Sequence, residues 1–314
     1  MKVAILLLAH KNKDQLERLL SRLNHKDVDV YVHLDRKCSF EPRDVEAPAN
    51  VRFTEKRHDV CLFEFSMIDA EFELIQTAKR NGEYKYFILM SAQCYPLARI
   101  DDIVPYLEAH YPEPFIEIIA PTEHNYVKKN FKHVYILKKF KLNAYDFLKK
   151  HCSFKGYRIL RYIPGGFVWA VSMLKEIFVK SPKRRFEKMG YSVYCGSQWW
   201  ILPDHIIEKA ELAYNDKAYC KAVSDAFSCD ETFFQTLIMK YQNECGVELD
   251  SDNNFVNRKW FYIFDGGHPI TLTKTHMDQI KESEMLFARK FDMCVDSEVL
   301  DEIDCFKEYR SNNE

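Results

Sequence analysis

The sequence lacks the features that mark several large classes of protein. Lys and Arg number 45 against 47 Asp and Glu, for a net charge of −2, so the basic excess typical of a nucleic-acid-binding protein is missing. The apolar run that opens the chain ends at Ala9, which is too short for a secretory signal or a membrane span. We therefore expect no nucleic-acid partner and a cytoplasmic location.

The ten cysteines contain no Cys-x-x-Cys pair. This spacing disfavours a zinc site built from cysteine pairs. Because no secretory signal precedes the cysteines, we expect mostly reduced thiols, as in a cytosolic protein.

The start of the chain has the pattern of a β-α-β unit. Residues 2–9 and 28–34 are apolar runs of strand length, and leucines at helical spacing lie between them in residues 14–23. Continuous apolar runs indicate strands buried on both faces of a mostly parallel sheet. No glycine-rich loop follows the first run, which excludes a dinucleotide fingerprint. The pattern predicts an α/β fold: a Rossmann-like, nucleotide-binding half whose mostly parallel sheet is flanked by helices.

The same periodicities continue along the chain and predict one domain over 1–314. Its parts are a Rossmann-like, nucleotide-binding half at 1–120, a basic insertion at 121–165 and a second α/β half at 166–314. Further strands are predicted at 51–54, 86–90, 115–119, 197–202 and 260–264, and helices at 66–79, 103–109, 204–212, 230–241 and 275–288.

The insertion has an unusual charge. Residues 128–161 carry eleven Lys and Arg but a single acidic residue, with aromatic and aliphatic residues between them. Such a segment is either a solvated face or a peripheral contact with an anionic membrane or a lipid-linked acceptor.

Two short clusters carry candidate chemistry on strands or turns. Asp35 and Lys37 follow the second strand, at the sheet edge where ligands of open α/β sheets bind, although a surface salt-bridge cluster would look the same. Trp199 and Trp200 beside Gly196-Ser197-Gln198 suit a sugar platform, although at least one of them is expected in the core.

Two further clusters carry charges near helix ends. Asp230 and Glu231 open the predicted helix 230–241, where acidic residues favour the helix dipole, and Glu231 can also serve as a general base in a partly dry cleft. Arg289 and Lys290 follow the predicted helix 275–288. They either complement the helix dipole or neutralise a leaving diphosphate.

Taken in this order, the clusters resemble the core-2/I-branching β-1,6-N-acetylglucosaminyltransferase and protein xylosyltransferase family. The matching stretches run over almost the full chain: 6–10, 33–37, 87–96, 196–202, 230–237 and 268–292. The resemblance implies a GT-A-type glycosyltransferase fold, a UDP-sugar donor, inversion at the anomeric carbon and no bound metal. N-acetylglucosamine is the expected sugar, with xylose and glucuronic acid as alternatives, and the expected acceptor is a glycan or a lipid-linked saccharide.

The resemblance also implies roles for single residues. Glu231 matches the family's catalytic base. The donor is expected to contact His10, Asp35, Lys37, Arg289 and Lys290, with the last two at the diphosphate. The acceptor is expected to contact Glu117, Trp199, Trp200, Trp260 and Tyr262, of which Trp260 and Tyr262 match a Trp-x-Tyr wall.

Two departures from the family pattern leave alternatives open. Cys94 stands where the family usually has Asp, and Leu62-Phe63-Glu64 stands where it usually has Trp-Gly-Gly. These departures favour, as an alternative, an inactive protein that binds glycan or nucleotide sugar. A metal-dependent transferase is the other alternative, with Asp250-Ser251-Asp252 or Asp27-Val28-Asp29 as its metal ligands.

Overall fold

Strands and helices alternate along most of the chain. The computed structural model describes residues 1–121, 182–226, 228–265 and 268–311, together with positions 147 and 166, and side chains as far as residue 305. The strands are β1 (Val3–Ala9), β2 (Val28–Leu34), β3 (Val51–Phe53), β4 (Tyr86–Ser91), β5 (Cys94–Pro96), β6 (Glu117–Ile118), β7 (Trp200–Pro203), β8 (Phe255–Val256), β9 (Trp260–Phe261), β10 (Phe264–Asp265), β11 (His268–Pro269) and β12 (Phe287–Arg289).

Helices connect and cover these strands. In chain order they are α1 (Lys13–Arg22), α2 (Phe65–Asn81), α3 (Ile100–Ala109), α4 (Pro182–Lys188), α5 (Asp204–Asn215), α6 (Lys217–Ser224), α7 (Phe233–Lys240), α8 (Met277–Glu282) and α9 (Glu298–Ser311), with 3-10 turns at Pro42–Asp44 and Lys274–His276. Among the described residues, none of these helices has both the length and the apolar character needed to span a membrane.

The central sheet has the strand order β3-β2-β1-β4-β7. The first four strands are parallel, and β7 is antiparallel to β4. Every residue of β1 and β4 is buried, as expected when helices cover both faces of a parallel sheet. The predicted α/β class and the mostly parallel sheet are confirmed.

The strand order reverses between β1 and β4, because the chain adds β2 and β3 on one side of β1 and β4 on the other. At such a switch point the loops that follow the two strands diverge and leave a crevice at their carboxyl ends. His10 follows β1 at this point, and Asp35 follows the neighbouring β2. The topology therefore places two of the predicted donor residues beside the crevice.

A second, three-stranded sheet has the order β5-β12-β9. In it β12 is antiparallel to β5, with Arg289 opposite Cys94, and parallel to β9. The predicted helix 275–288 is therefore wrong in its second half, since α8 ends at Glu282. Pairing on both sides of β12 overrides the local helical spacing, so Arg289 lies at the end of a strand, and a helix-dipole role is excluded.

The structure also corrects the start of the predicted helix 230–241. Asp230 and Glu231 lie in a turn, and α7 begins at Phe233. The Thr232 hydroxyl donates to the Ser228 carbonyl, and the Phe233 N–H donates to the Cys229 carbonyl (3.0 Å). Glu231 therefore precedes the helix on a hydrogen-bonded turn. The basic segment 128–161 and most of the insertion predicted at 121–165 lie outside the described residues.

Candidate active site

The loops after β1 and β2 are held together at the crevice. The Asp35 N–H donates to the Ala9 carbonyl (2.8 Å), which extends the pairing of the two strands. Partial desolvation, together with the nearby Lys11, Lys290 and Lys37, lowers the pKa of His10, while Asp35 opposes this shift. His10, Asp35, Lys37 and Lys290 are therefore close enough to interact electrostatically.

The Asp35 carboxylate is buried and organises the loop around it. It accepts hydrogen bonds from the N–H groups of Lys37 (2.7 Å) and Val60 (3.3 Å). The Lys37 ammonium contacts Asp59 (2.5 Å) and Asp35 (3.3 Å) and remains half exposed. The ion-paired cluster that the sequence left open is present, and it lies at the sheet edge where a nucleoside is expected.

Two distant segments join on the other side of the crevice. Buried Gln15 donates to the carbonyls of Ala92 (2.7 Å) and Phe291 (3.2 Å) and accepts the N–H of Met293 (2.8 Å). Asp292 accepts hydrogen bonds from Lys11 (2.6 Å) and from Asn12. These contacts fix the loop that follows β12 against the loop that follows β1.

The contacts of Gln15 and Asp292 fix the position of the neighbouring Lys290. Its ammonium makes no hydrogen bond or ion pair with any residue of the described ranges. Partial burial, Lys11 and Arg289 lower the pKa of Lys290, and Asp292 partly offsets them. A half-buried cation that forms no direct ion pair among these residues is suited to receiving an anionic ligand.

The Glu231 carboxyl group is largely withdrawn from water. Burial, followed by the nearby carboxyl groups of Asp230 and Glu117, raises the pKa of Glu231 to about 8, while Arg289 opposes the shift. A carboxyl group with a raised pKa in a cleft is a candidate general base or acid. Glu231 thus has the electrostatic character that a general base needs, and Arg289 lies near enough to influence its pKa.

Gly196 allows the Glu231 turn to approach its neighbours. Its N–H donates to the Glu231 carbonyl (3.0 Å). A Cβ atom at Gly196 would lie 1.7 Å from the Glu117 carbonyl oxygen. The neighbouring residues Cys195 and Ile119 exchange two backbone hydrogen bonds. Glycine is therefore required here by close backbone approach, and this approach brings Glu117 beside Glu231.

Trp199 supports Arg289. The Arg289 guanidinium lies over the indole ring, with its central carbon 4.7 Å from the ring centroid, a cation–π arrangement. Trp199 itself is 5% exposed. The indole ring thus acts mainly as a platform for Arg289, which leaves little of its surface for a sugar.

Two predicted acceptor contacts are wrong. Trp200 is fully buried on β7, where its ring packs against Phe234, and Trp260 is 1% exposed on β9 and stacks on Phe287. Both side chains belong to the core: every residue of β7 is buried, and in β9 Trp260 is buried whereas Phe261 is only partly buried. Neither presents a surface to a ligand.

Tyr262 and Glu117 do lie together, as a pair near the turn that carries Glu231. The Tyr262 hydroxyl donates to a Glu117 carboxylate oxygen (3.3 Å), and the other oxygen accepts from Arg258 (2.6 Å). The Arg258 guanidinium also lies over the Tyr262 ring, and exposed Phe264 packs edge-on against that ring. This aromatic and charged group borders Glu231, as an acceptor-binding surface would.

The two departures from the family pattern have structural counterparts. Cys94 is buried, and its sulfur lies 3.4 Å from the Ser91 backbone nitrogen, where it accepts a weak hydrogen bond within the turn after β4. Phe63 has a φ of +65°, a left-handed conformation that favours glycine. The backbone therefore keeps, at Phe63, a shape suited to the glycine usual in the family.

The candidate metal ligands have other contacts. Asp250 accepts the N–H groups of Asp252 and Asn254 within a loop. Asp29 accepts a hydrogen bond from Tyr84 and is near Lys2 and Arg52. Across the described residues, no group of three or more His, Cys, Asp or Glu side chains is arranged to hold a metal ion.

Sequence reasoning missed one group at the site, Glu71. Its side chain is completely buried on α2 and accepts a hydrogen bond from Gln198 (2.8 Å). Its spacing from Ile68 and Ile75 was the available signal, because it places an acidic residue on the apolar face of an amphipathic helix.

Comparison with known proteins identifies the family of the chain. Residues 3–285 match the family model described as Core-2/I-Branching enzyme. The chain is 22% identical to human xylosyltransferase 2 over 96% of its own length and 33% of the relative's length, and 21% identical to human xylosyltransferase 1 over 97% and 30%. The chain thus spans about a third of the length of these relatives. The chain belongs to the Core-2/I-Branching enzyme family of glycosyltransferases.

Proposed function

We propose that this protein is an inverting glycosyltransferase that moves a sugar from a UDP-sugar to a glycan hydroxyl without a bound metal. Glu231 is the general base in this proposal, and Lys290 with Arg289 neutralises the leaving diphosphate. The fold supports the proposal, because a GT-A-type enzyme also binds its nucleotide at the carboxyl ends of a Rossmann-like sheet.

One observation carries the proposal: the Glu231 carboxyl group and the two cations Arg289 and Lys290 are close enough to influence one another's charge. Arg289 is near enough to Glu231 to oppose the rise in its pKa, and it also lowers the pKa of Lys290. Lys290 in turn lowers the pKa of His10, which also senses Asp35. Electrostatic interactions therefore link the proposed base, the two cations and the residues of the proposed nucleoside site.

The reaction would be a single displacement. The acceptor oxygen bonds to the anomeric carbon as the bond from that carbon to the diphosphate oxygen breaks, and Glu231 takes the hydroxyl proton. The negative charge that develops on the diphosphate of UDP as this bond breaks is stabilised by Lys290 and Arg289, the electrostatic contribution that is usually the largest in such sites. Positioning of both substrates supplies several further kcal/mol.

The proposed acceptor surface is Tyr262, Glu117, Arg258 and Phe264. Glu117 can accept hydrogen bonds from sugar hydroxyls, while the rings of Tyr262 and Phe264 offer apolar surface to a pyranose face. Trp199 contributes indirectly by supporting Arg289. The proposed acceptor is a glycan or a lipid-linked saccharide. We also propose that the basic segment 128–161 contacts an anionic membrane.

The identity of the donor sugar determines which transfer reaction the enzyme catalyses. The sequence prediction is N-acetylglucosamine, and the matched relatives are named xylosyltransferases, so UDP-N-acetylglucosamine and UDP-xylose come first, followed by UDP-glucuronate. Calorimetric titration of each donor and of UDP in EDTA and in manganese tests the proposal. We expect binding in EDTA that Lys290→Ala weakens. Binding that requires manganese would support a metal-dependent enzyme instead, and transfer that survives Glu231→Gln would remove the proposed base.

A further inference from the structure

A buried hydrogen bond joins α2 to the segment that precedes β7, close to the turn that carries Asp230 and Glu231. Glu71 is 0% exposed, and one of its carboxyl oxygens accepts a hydrogen bond from the Gln198 side-chain amide (2.8 Å). The other oxygen has no partner among the described residues. A buried carboxyl group is expensive to retain, so its presence in an apolar helix face calls for an explanation.

Gln198 belongs to a short turn that supports both halves of the proposed chemistry. We define the support turn as residues 196–199. Gly196 donates to the Glu231 carbonyl, and the Ser197 carbonyl accepts a hydrogen bond from Gln235 (2.8 Å). At the other end of the turn, the Arg289 guanidinium lies over the Trp199 ring. A displacement of this turn would therefore move the base and the cation together.

The support turn has little room to adjust by itself. Gly196 already lies against the Glu117 backbone so closely that no Cβ atom would fit, and Trp199 is nearly fully buried. Glu71 holds the middle of this turn from the core side. Closely packed interiors transmit small displacements, so the Glu71–Gln198 hydrogen bond is well placed to set the turn's position.

The charge of Glu71 must be compatible with this role. Burial and the nearby Asp230 carboxyl group raise the pKa of Glu71 well above its ordinary value. Asp230 and Gln198 are the polar groups that face it, and Glu231 follows Asp230 directly. A third negative charge beside these carboxyl groups would be unfavourable, whereas a neutral Glu71 still offers a carbonyl oxygen to Gln198.

We propose that Glu71 is a positioning residue that, through Gln198, holds the support turn and thereby aligns Glu231 and Arg289. The proposal deepens the proposed transferase function and rests on it. It assigns a part in the reaction to Glu71, a residue of α2 that is buried in the core. The bond requires only a neutral hydrogen-bond acceptor of the length of Glu71.

The test compares Glu71→Gln with Glu71→Met, because both are uncharged and similar in size but only Gln keeps a carbonyl acceptor. Glu71→Gln should keep kcat within about threefold, with an unchanged pH profile. Glu71→Met should fold and bind UDP, but its kcat should fall by about tenfold or more with little change in the donor KM, as expected for misplaced catalytic groups. Gln76→Met on the same helix is the control.

A double-mutant cycle tests whether Glu71 acts through Gln198. Gln198→Met should reproduce the loss of kcat in Glu71→Met, and the double variant should be no worse than either single variant, because both remove one interaction. Equal loss in Glu71→Gln and Glu71→Met would overturn the proposal, as would full kcat in Glu71→Met.

A second readout does not depend on turnover. Subtracting the emission of a matched Trp199→Phe variant isolates the fluorescence of Trp199. With the same subtraction made in each Glu71 variant, the intensity or wavelength of the Trp199 emission should change in Glu71→Met and remain unchanged in Glu71→Gln. An unchanged spectrum in Glu71→Met would contradict the proposal even if the wild type transferred no sugar. Absence of transfer in the wild type, by contrast, would count against the proposed function alone.

Discussion

Glu231→Gln should abolish transfer and at the same time stabilise the fold. The folded-state pKa of Glu231 is raised from its ordinary value of 4.5 to about 8. The stabilising contribution of this group is therefore complete below pH 4.5 and is lost as pH rises through 8. At pH 7 the folded protein must either keep the proton or bury the charge, at a cost of at most about 3 kcal/mol. Gln avoids this cost at every pH.

Denaturant or thermal unfolding at a series of pH values measures the effect. The difference between Glu231→Gln and the wild type should be near zero at pH 4 and grow to on the order of 5 °C in Tm at pH 7. Glu83→Gln, which changes an exposed carboxylate, is the control and should show no such trend. A constant difference across pH, or a destabilised Glu231→Gln, would refute the account of a desolvated base.

Three other predictions concern the same site. The kcat/KM should rise with pH to a plateau above about 8 as Glu231 loses its proton; a flat profile between pH 6 and 8 would contradict this. Gly196→Ala should destabilise the fold by about 2 kcal/mol or more and lower activity, because a Cβ there would overlap the Glu117 carbonyl; an unchanged Tm would count against it. Lys290→Ala should weaken UDP binding about tenfold or more in calorimetry while leaving Tm almost unchanged; unaltered UDP affinity would exclude Lys290 from the diphosphate site.

The sheet and its edge residues could be predicted because the determinants are local. Strand β1 is buried on both faces, so its apolar run is continuous and recognisable. The residues that follow β1 and β2 then lie together by the geometry of parallel strands, which brings His10 near Asp35.

The catalytic half depends on contacts between distant segments, and these were harder to predict. β12 has helical spacing in the sequence but pairs with β5 and β9, so Arg289, which the sequence predicts just after a helix, lies instead at the end of a strand. Trp200 and Trp260 have the composition of a sugar platform, yet their strands bury them. The environment of Glu231 arises from the close approach of Gly196 to the Glu117 backbone and from the nearby Arg289, which only the tertiary structure brings together.

The most direct test follows the anomeric carbon of the donor by proton NMR, in EDTA, using the donor that binds best. The account predicts that wild-type protein converts the α-linked UDP-sugar to a β-configured product, transferred or hydrolysed, and that Glu231→Gln forms none. A product that retains the α configuration, turnover that requires manganese, or full activity in Glu231→Gln would each contradict metal-independent inversion by Glu231.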